Sequence, residues 1–239
     1  SWGEAVRVYS RPQVIAMLFL GFAAGLPLLL VFSTLTAWLR DLGISRSTIG
    51  FFGWVGITYS IKVLWAPVVD RLRLPVLTRL LGQRRSWILL GQMGVMLGLV
   101  AMVLTDPTVS LVSVAICSLL VAFSASTQDV AIDAFRIESA IDEYQGAMSA
   151  MYIFGYRIAM LVAGAGAFYL ADWSGWSTAY LCMALLMLEA SAACRSIRLV
   201  VQAGKLVSGS GGGTVCGIFP TQRDLGHSNP VLYWPLSAQ

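Results

Sequence analysis

The stretch VIAMLFLGFAAGLPLLLVFSTLTAWL, residues 14–39, contains no charged side chain and is long enough to cross a lipid bilayer as one helix. Four further apolar stretches follow at 49–69, 86–104, 110–128 and 147–171, and a shorter one lies at 177–188. A span needs about 20 apolar residues, so the last stretch, with 12 residues before Glu189, falls short. Pro27, with Gly21 and Gly25 nearby, predicts a kink in the first stretch.

The composition excludes a soluble globular domain. Of the 239 residues, 57% are hydrophobic and only 12% are charged, with a mean hydropathy of +0.75. Soluble domains carry about 25% charged residues. The pattern therefore predicts an all-α integral membrane protein, with a six-helix bundle over residues 1–194 and an unstructured tail over 195–239.

The sequence offers no set of residues for an enzyme, a metal site or a cofactor. The four cysteines (Cys117, Cys182, Cys194 and Cys216) have no CxxC spacing, and His227 is the only histidine. A nucleophile–histidine–acid set is also missing, although Asp129 and Asp133 are candidate buried acids. The net charge of +4 does not indicate nucleic-acid binding, because the arginines cluster at the ends of apolar stretches.

The distribution of arginines predicts the orientation in the membrane. The segment 70–85 contains Arg71, Arg73, Arg79, Arg84 and Arg85, and the N-terminal arm contains Arg7 and Arg11. The opposite loops have only Arg40 and Arg46, with none at 105–109 or 172–176. Cation-rich loops stay in the cytoplasm, so we expect a cytoplasmic N-terminus. Four tryptophans near predicted helix ends suggest an aromatic belt: Trp38, Trp87, Trp173 and Trp176.

Two cations interrupt the apolar stretches near mid-span. Lys62 lies in the second stretch and Arg157 in the fifth. A charge at that depth is costly and normally faces a cavity, so two cations at similar depth favour an anionic passenger. The alternatives are a structural ion pair or, for Lys62, a side chain that reaches back to the interface.

A group of polar residues lies near the cytoplasmic end of the fourth stretch. Asp129 and Asp133 are four residues apart, so both carboxylates share one helix face next to Gln128. One interpretation is a proton site. The other is a gate in which the acids pair with the arginine-rich loop; we favour the gate for Asp133 and leave Asp129 open. Asp70-Arg71 ends the second stretch and starts a turn able to hold a carboxylate against an arginine, or is an ordinary solvated loop.

The loop after the second stretch resembles the G-x-x-x-D-R-x-G-R-R motif of the major facilitator superfamily. Asp70-Arg71 and GQRR (82–85), which contains Arg84 and Arg85, match it. Ala66 stands at the first glycine position, and an insertion separates Arg71 from Gly82.

A longer set of segments resembles the muropeptide permease (AmpG) family, from about residue 11 to 188. The segments are GFAAGLP (21–27), TIGFF (48–52), KVLWAPVVDR (62–71), STQD (126–129) with Asp133, and GYR (155–157). The resemblance implies proton-driven import of anhydro-muropeptides across the inner membrane of Gram-negative bacteria. It implies substrate-binding positions at Lys62, Arg157 and Gln128, and coupling or gating positions at Asp129, Asp133, Asp70, Arg71, Arg84 and Arg85. The acetyl-coenzyme A transporters are similar and give the alternative of another organic anion.

The resemblance ends where the sixth stretch breaks off. Family members carry two six-helix halves, so this sequence corresponds to the first half, and a second half or second copy is the expected partner. The tail contains a flexible run at 209–213 and three prolines. We hypothesise that it comes from a shifted reading frame or a truncated gene. A bundle that binds without transporting, as a membrane scaffold, is the alternative from a different functional class.

Overall fold

The computed structural model describes residues 2–72, 75, 77–78, 82–139 and 142–189. The side chains of residues 2–5, 139, 142 and 143 are not described. The predicted tail, Cys194, Cys216, His227 and the loop arginines Arg73 and Arg79 lie outside the described residues.

All regular structure in these residues is helical. A short helix, α1 (Trp2–Tyr9), precedes six longer ones: α2 (Pro12–Asp41), α3 (Arg46–Arg71), α4 (Gln83–Leu104), α5 (Leu111–Glu138), α6 (Tyr144–Ser174) and α7 (Trp176–Glu189). Within the described ranges, α2 to α6 are long and apolar enough to cross a membrane, and α7 is shorter. The prediction of an all-α membrane bundle is confirmed, and each predicted stretch matches one helix.

Local sequence signals set the helix ends. Pro12 occupies the first turn of α2, where its missing N–H removes no helical bond. Ser45 caps α3 by accepting a 3.2 Å hydrogen bond from the Thr48 N–H. Gly82 (φ 84°) precedes α4 and Gly175 (φ 88°) separates α6 from α7, and both use the left-handed region that glycine tolerates best.

The region of the expected kink contains a π-helical turn, Leu30–Thr34, that begins three residues after Pro27. Proline lacks an N–H and its ring crowds the preceding turn, and an extra residue in the next turn is one way for a helix to continue. A second π turn, Val162–Gly166, interrupts α6. The two π turns are in contact, since the Thr34 hydroxyl donates a 2.9 Å bond to the Ala163 carbonyl. The buried Tyr180 hydroxyl of α7 donates a 2.8 Å bond to the Leu30 carbonyl.

Glycine and alanine allow the helices to approach closely. α2 packs along α6, α4 packs along α5, and α3 packs mainly on α5. Gly21 and Gly25 of α2 lie against the backbone of Tyr152 and Tyr156, and Gly155 of α6 lies against the Leu18 carbonyl. Gly155 is buried, as are Ala159, Ala163 and Ala167 of the same helix. Small buried residues of this kind let neighbouring membrane helices pack closely.

The helices differ in how much of their surface the bundle covers. α2 is the most buried span, whereas α3 and α6 are the least. The exposed side chains of α3 include Ile57, Ile61, Val63 and Leu64, and those of α6 include Ile153, Phe154 and Leu161. Apolar faces of this kind need a bilayer or another bundle to cover them.

Two of the four tryptophans expected at the membrane interface are core residues instead. Trp38 is buried with its ring 5.0 Å from that of Tyr180. Trp87 is buried and its indole N–H donates to the Leu72 carbonyl. Trp173 is almost fully exposed at the end of α6, and Trp176 donates to the Asp41 carboxylate. A position near a helix end therefore does not distinguish an interfacial tryptophan from a core one.

Candidate functional site

The two mid-span cations lie on the helices that the bundle covers least. Lys62 is nine residues from Arg71, roughly 14 Å from that end of α3, and is half-buried. Arg157 is 13 residues into α6, roughly 20 Å from Tyr144, and is exposed on the bundle surface. Neither forms an ion pair with a residue that the structure describes. The Arg157 charge is therefore free to meet an anion from outside the bundle.

Asp129 of α5 connects these two helices electrostatically. Its carboxylate interacts with the Lys62 ammonium and with the Asp133 carboxylate, the first attractive and the second repulsive. Tyr156 interacts with both Asp129 and Arg157. One carboxylate oxygen of Asp129 is enclosed and has no hydrogen-bond partner. Burying a charge without a partner is costly. Whether Asp129 is ionised therefore depends on whether the Lys62 ammonium stays available to stabilise its carboxylate.

Three tyrosines lie near this acid. Tyr59 of α3 and Tyr152 of α6 both interact electrostatically with Asp129, as Tyr156 does. The rings of Tyr152 and Tyr156 lie 6.3 Å apart, and the Tyr59 hydroxyl is buried with no hydrogen-bond partner. None of these three tyrosines is among the site residues predicted from the sequence. Their spacing contained a signal, because Tyr59 and Lys62 are three apart on α3 and Tyr156 adjoins Arg157.

Gln128 is completely buried, and neither of its amide atoms has a hydrogen-bond partner among the residues that the structure describes. Its Cβ lies at the Gly91 backbone, so the residue sits where α4 and α5 are in contact. The indole N–H of Trp65 is also buried and unpartnered, with its ring 5.0 Å from that of Phe123. Buried polar groups are nearly always paired with protein or water. These unpaired groups, together with Tyr59 and Asp129, mark a region suited to water or a polar ligand.

A charge network joins the ends of three helices at the arginine-rich end of the bundle. Arg84 at the start of α4 pairs with Asp70 at the end of α3, and its guanidinium lies 2.7 Å from Glu138 at the end of α5. Gln83 donates to the Asp70 carbonyl. Glu138 was not among the predicted site residues, since in the sequence it is only one of several acids in a loop.

The other predicted gating residues surround this network. Asp133 forms a 3.4 Å ion pair with Arg136 on its own helix, and Arg136 donates a 3.0 Å bond to Ser149 of α6. Arg85 lies over the Phe135 ring at 5.5 Å. Arg71 is exposed and has no ion pair with a described residue.

Arg84→Gln should weaken the joint between α3, α4 and α5 modestly. Both acids are about half exposed, so we expect a loss of about 1 kcal/mol, reduced by salt. Thermal unfolding of the purified chain at low and high salt measures this loss, with Arg7→Gln as the control for removing an exposed arginine elsewhere. A salt-independent loss would show that packing rather than charge holds this joint.

Comparison with known proteins places the chain among transporters. A sequence model of the acetyl-coenzyme A transporter 1 family matches residues 13–170, which is more than half of the chain. The chain belongs to this family. Its members share the matched region that contains α2 to α5 and most of α6, so every predicted site residue lies within it.

Individual relatives in this transporter family support the predicted resemblance to the muropeptide permeases. The chain is 38% identical over 187 residues to "Putative transporter AmpG 4" of Rickettsia conorii, covering 77% of this chain and 45% of that protein. It is 39% identical over 186 residues to "Anhydromuropeptide permease" of Escherichia coli, covering 77% of this chain and 37% of that protein. The resemblance is confirmed, and the chain spans less than half the length of these relatives.

Proposed function

We propose that this bundle is one half of a proton-coupled importer of anhydro-muropeptides, in the bacterial inner membrane with its N-terminus in the cytoplasm. The observation that carries the proposal is Arg157, a mid-span cation on an open helix face with no ion-pair partner among the described residues. Membership of a transporter family and the relatives named AmpG support the substrate class.

Lys62 and Arg157 bind the carboxylate groups of the substrate in this proposal. A charge at mid-span faces a cavity or a partner, and neither cation forms an ion pair with a described residue, so an anionic solute can supply that partner. Gln128 supplies amide hydrogen bonds, directly or through water, because its amide atoms are unpaired. Acetyl-coenzyme A and other organic anions can also bind the charges of Lys62 and Arg157. The uptake experiment below therefore includes acetyl-coenzyme A as the alternative substrate.

Competition for Lys62 couples the substrate to the proton. In the empty bundle burial makes the Asp129 carboxylate costly as an anion, and the attraction of Lys62 offsets part of that cost. When a substrate carboxylate takes over the Lys62 ammonium, Asp129 loses its attractive partner and keeps the repulsion of Asp133. A buried carboxylate without a partner is costly as an anion, so Asp129 then takes up a proton. Substrate and proton are thus bound together and released together.

The network of Arg84, Asp70 and Glu138 serves as the gate at the arginine-rich end, with Asp133, Arg71 and Arg85 around it. Ion pairs between half-exposed groups are weak enough to break and re-form during a transport cycle. Alternating access requires two bundles that move around a central site. The partner bundle, which covers the open faces of α3 and α6, is a second copy of this chain or a six-helix bundle outside these 239 residues.

Arg157→Ala should reduce uptake at low substrate concentration by about 10- to 100-fold. Losing a hydrogen-bonded ion contact to the substrate weakens binding by that factor. The measurement is uptake of labelled anhydro-muropeptide into vesicles containing the chain, with and without a proton gradient, and labelled acetyl-coenzyme A as the second substrate. Arg7→Ala, which removes an exposed arginine at the chain's start, is the matched control.

The outcomes separate the functional classes. Gradient-dependent uptake that Arg157→Ala reduces and Arg7→Ala preserves supports the proposal. Binding of the muropeptide without any uptake identifies a scaffold instead. Uptake of acetyl-coenzyme A in preference to the muropeptide would show that acetyl-coenzyme A, and not the muropeptide, is the substrate.

A further inference from the structure

A cleft of about 750 Å³ opens between the end of α2 and the start of α3. It lies at the opposite end of these helices from the charge network of Arg84. Its lining includes the apolar side chains of Val31, Phe32, Ile49 and Phe52, and two arginines, Arg40 and Arg46. The volume lies within the range of about 300–1,000 Å³ typical of small-ligand sites.

The two arginines have no partner for their charge in the part of the chain that the structure describes. The nearby Asp41 carboxylate accepts a 2.9 Å hydrogen bond from Trp176 instead. Arg40 and Arg46 are also the cations that stand out in the otherwise cation-poor loops at this end of the bundle. A pair of unpartnered guanidinium groups at the rim of one cleft is complementary to an anion, and the guanidinium fork suits phosphate.

The cleft has its charges and its apolar surface at different depths. Arg40 and Arg46 lie at the ends of two membrane-length helices, which is the level of lipid headgroups. Phe32 also lines the cleft, lies eight residues further into α2, roughly 12 Å deeper, and keeps part of its side chain exposed. A phospholipid has the same arrangement, with its phosphate at the surface and its acyl chain below.

We propose that this cleft binds an anionic phospholipid, with Arg40 and Arg46 on the headgroup phosphate and one acyl chain along Phe32 and Phe52. The chemistry recognised is a phosphate attached to an apolar chain, and the bilayer is its source. The glycines on the α3 side fit this role, because Gly50 has no atom within 4 Å of a Cβ position and leaves the cleft open.

The test measures lipid binding to the purified full chain in detergent by native mass spectrometry. The probes are dioctanoyl phosphatidylglycerol, dioctanoyl phosphatidylcholine and, as the soluble phosphate, glycerol 3-phosphate. Each arginine near a membrane surface strengthens anionic-lipid binding about 5-fold, so we expect phosphatidylglycerol to bind on the order of 25-fold more tightly than phosphatidylcholine. Arg40→Gln with Arg46→Gln should remove that preference, and Arg7→Gln should keep it.

A second variant tests the cleft without removing either charge. Gly50→Phe fills open space rather than colliding with a neighbour, so the chain should fold and lose phosphatidylglycerol binding. Equal binding of the two lipids by the wild type would overturn the proposal, as would a preference that survives both the double glutamine variant and Gly50→Phe. Glycerol 3-phosphate binding as tightly as the lipid would show a soluble ligand and overturn the assignment to the bilayer.

Discussion

Gly155→Ala is expected to force α2 and α6 apart. An added Cβ at this position would lie 2.1 Å from the Leu18 carbonyl oxygen, a contact between two backbones that no rotamer change relieves. Overpacking costs about 1–3 kcal/mol, and a clash with rigid backbone belongs at the upper end, so the unfolding temperature should fall by about 5–10 °C. Thermal unfolding followed by circular dichroism measures the change.

Gly146→Ala is the matched control for this substitution. Gly146 lies on the same helix as Gly155, and an added Cβ there meets no atom within 4 Å. In a helix, alanine is more favourable than glycine by up to about 1 kcal/mol, so this variant should be as stable as the wild type or more so. If both variants unfold at the same temperature, the close contact between α2 and α6 is wrong.

The membrane bundle was predictable because hydropathy is a property of each segment alone. The uncharged stretch at 14–39 needed no knowledge of its neighbours to be identified as a span. Trp38 packs against the ring of Tyr180, which is distant in the sequence. The indole N–H of Trp87 donates to the Leu72 carbonyl, 15 residues earlier in the chain. Their positions near helix ends indicated an interface, whereas tertiary packing placed them in the core.

The candidate site was predictable only where a charge interrupts an apolar stretch. Lys62 and Arg157 meet that condition, and Asp129 meets it at the end of the fourth stretch. Asp129 interacts electrostatically with Lys62, and Tyr156 interacts with both Asp129 and Arg157. In the sequence, Tyr59 and Trp65 look like ordinary aromatic residues of a membrane helix. In the structure their polar atoms are buried and have no hydrogen-bond partner among the described residues. Gln128 adjoins Asp129 in the sequence, but successive residues of a helix point about 100° apart. Only the packing of α4 on α5 shows that Gln128 lies against Gly91.

Asp129→Asn should abolish gradient-driven accumulation while leaving substrate exchange intact. Asparagine has nearly the same shape as aspartate, but its amide cannot take up a proton when the substrate carboxylate binds Lys62. With one proton carried per substrate, a gradient of one pH unit supplies about 1.4 kcal/mol, which supports about tenfold accumulation. The wild-type chain in vesicles should reach that ratio, and Asp129→Asn should stay at a ratio of one. Counterflow of labelled against unlabelled anhydro-muropeptide, which needs no gradient, should continue in both.

Two further aspartates make this result specific. Asp172→Asn removes an exposed carboxylate at the end of α6 and should accumulate substrate like the wild type. Asp133→Asn changes an acid that is half-exposed and already paired with Arg136, so it should slow transport without uncoupling it. Loss of accumulation in Asp133→Asn but not in Asp129→Asn would show that Asp133, rather than Asp129, carries the proton. Absence of accumulation in the wild type, both for the chain alone and when a second six-helix bundle is supplied in the same vesicles, would reject the transport proposal itself.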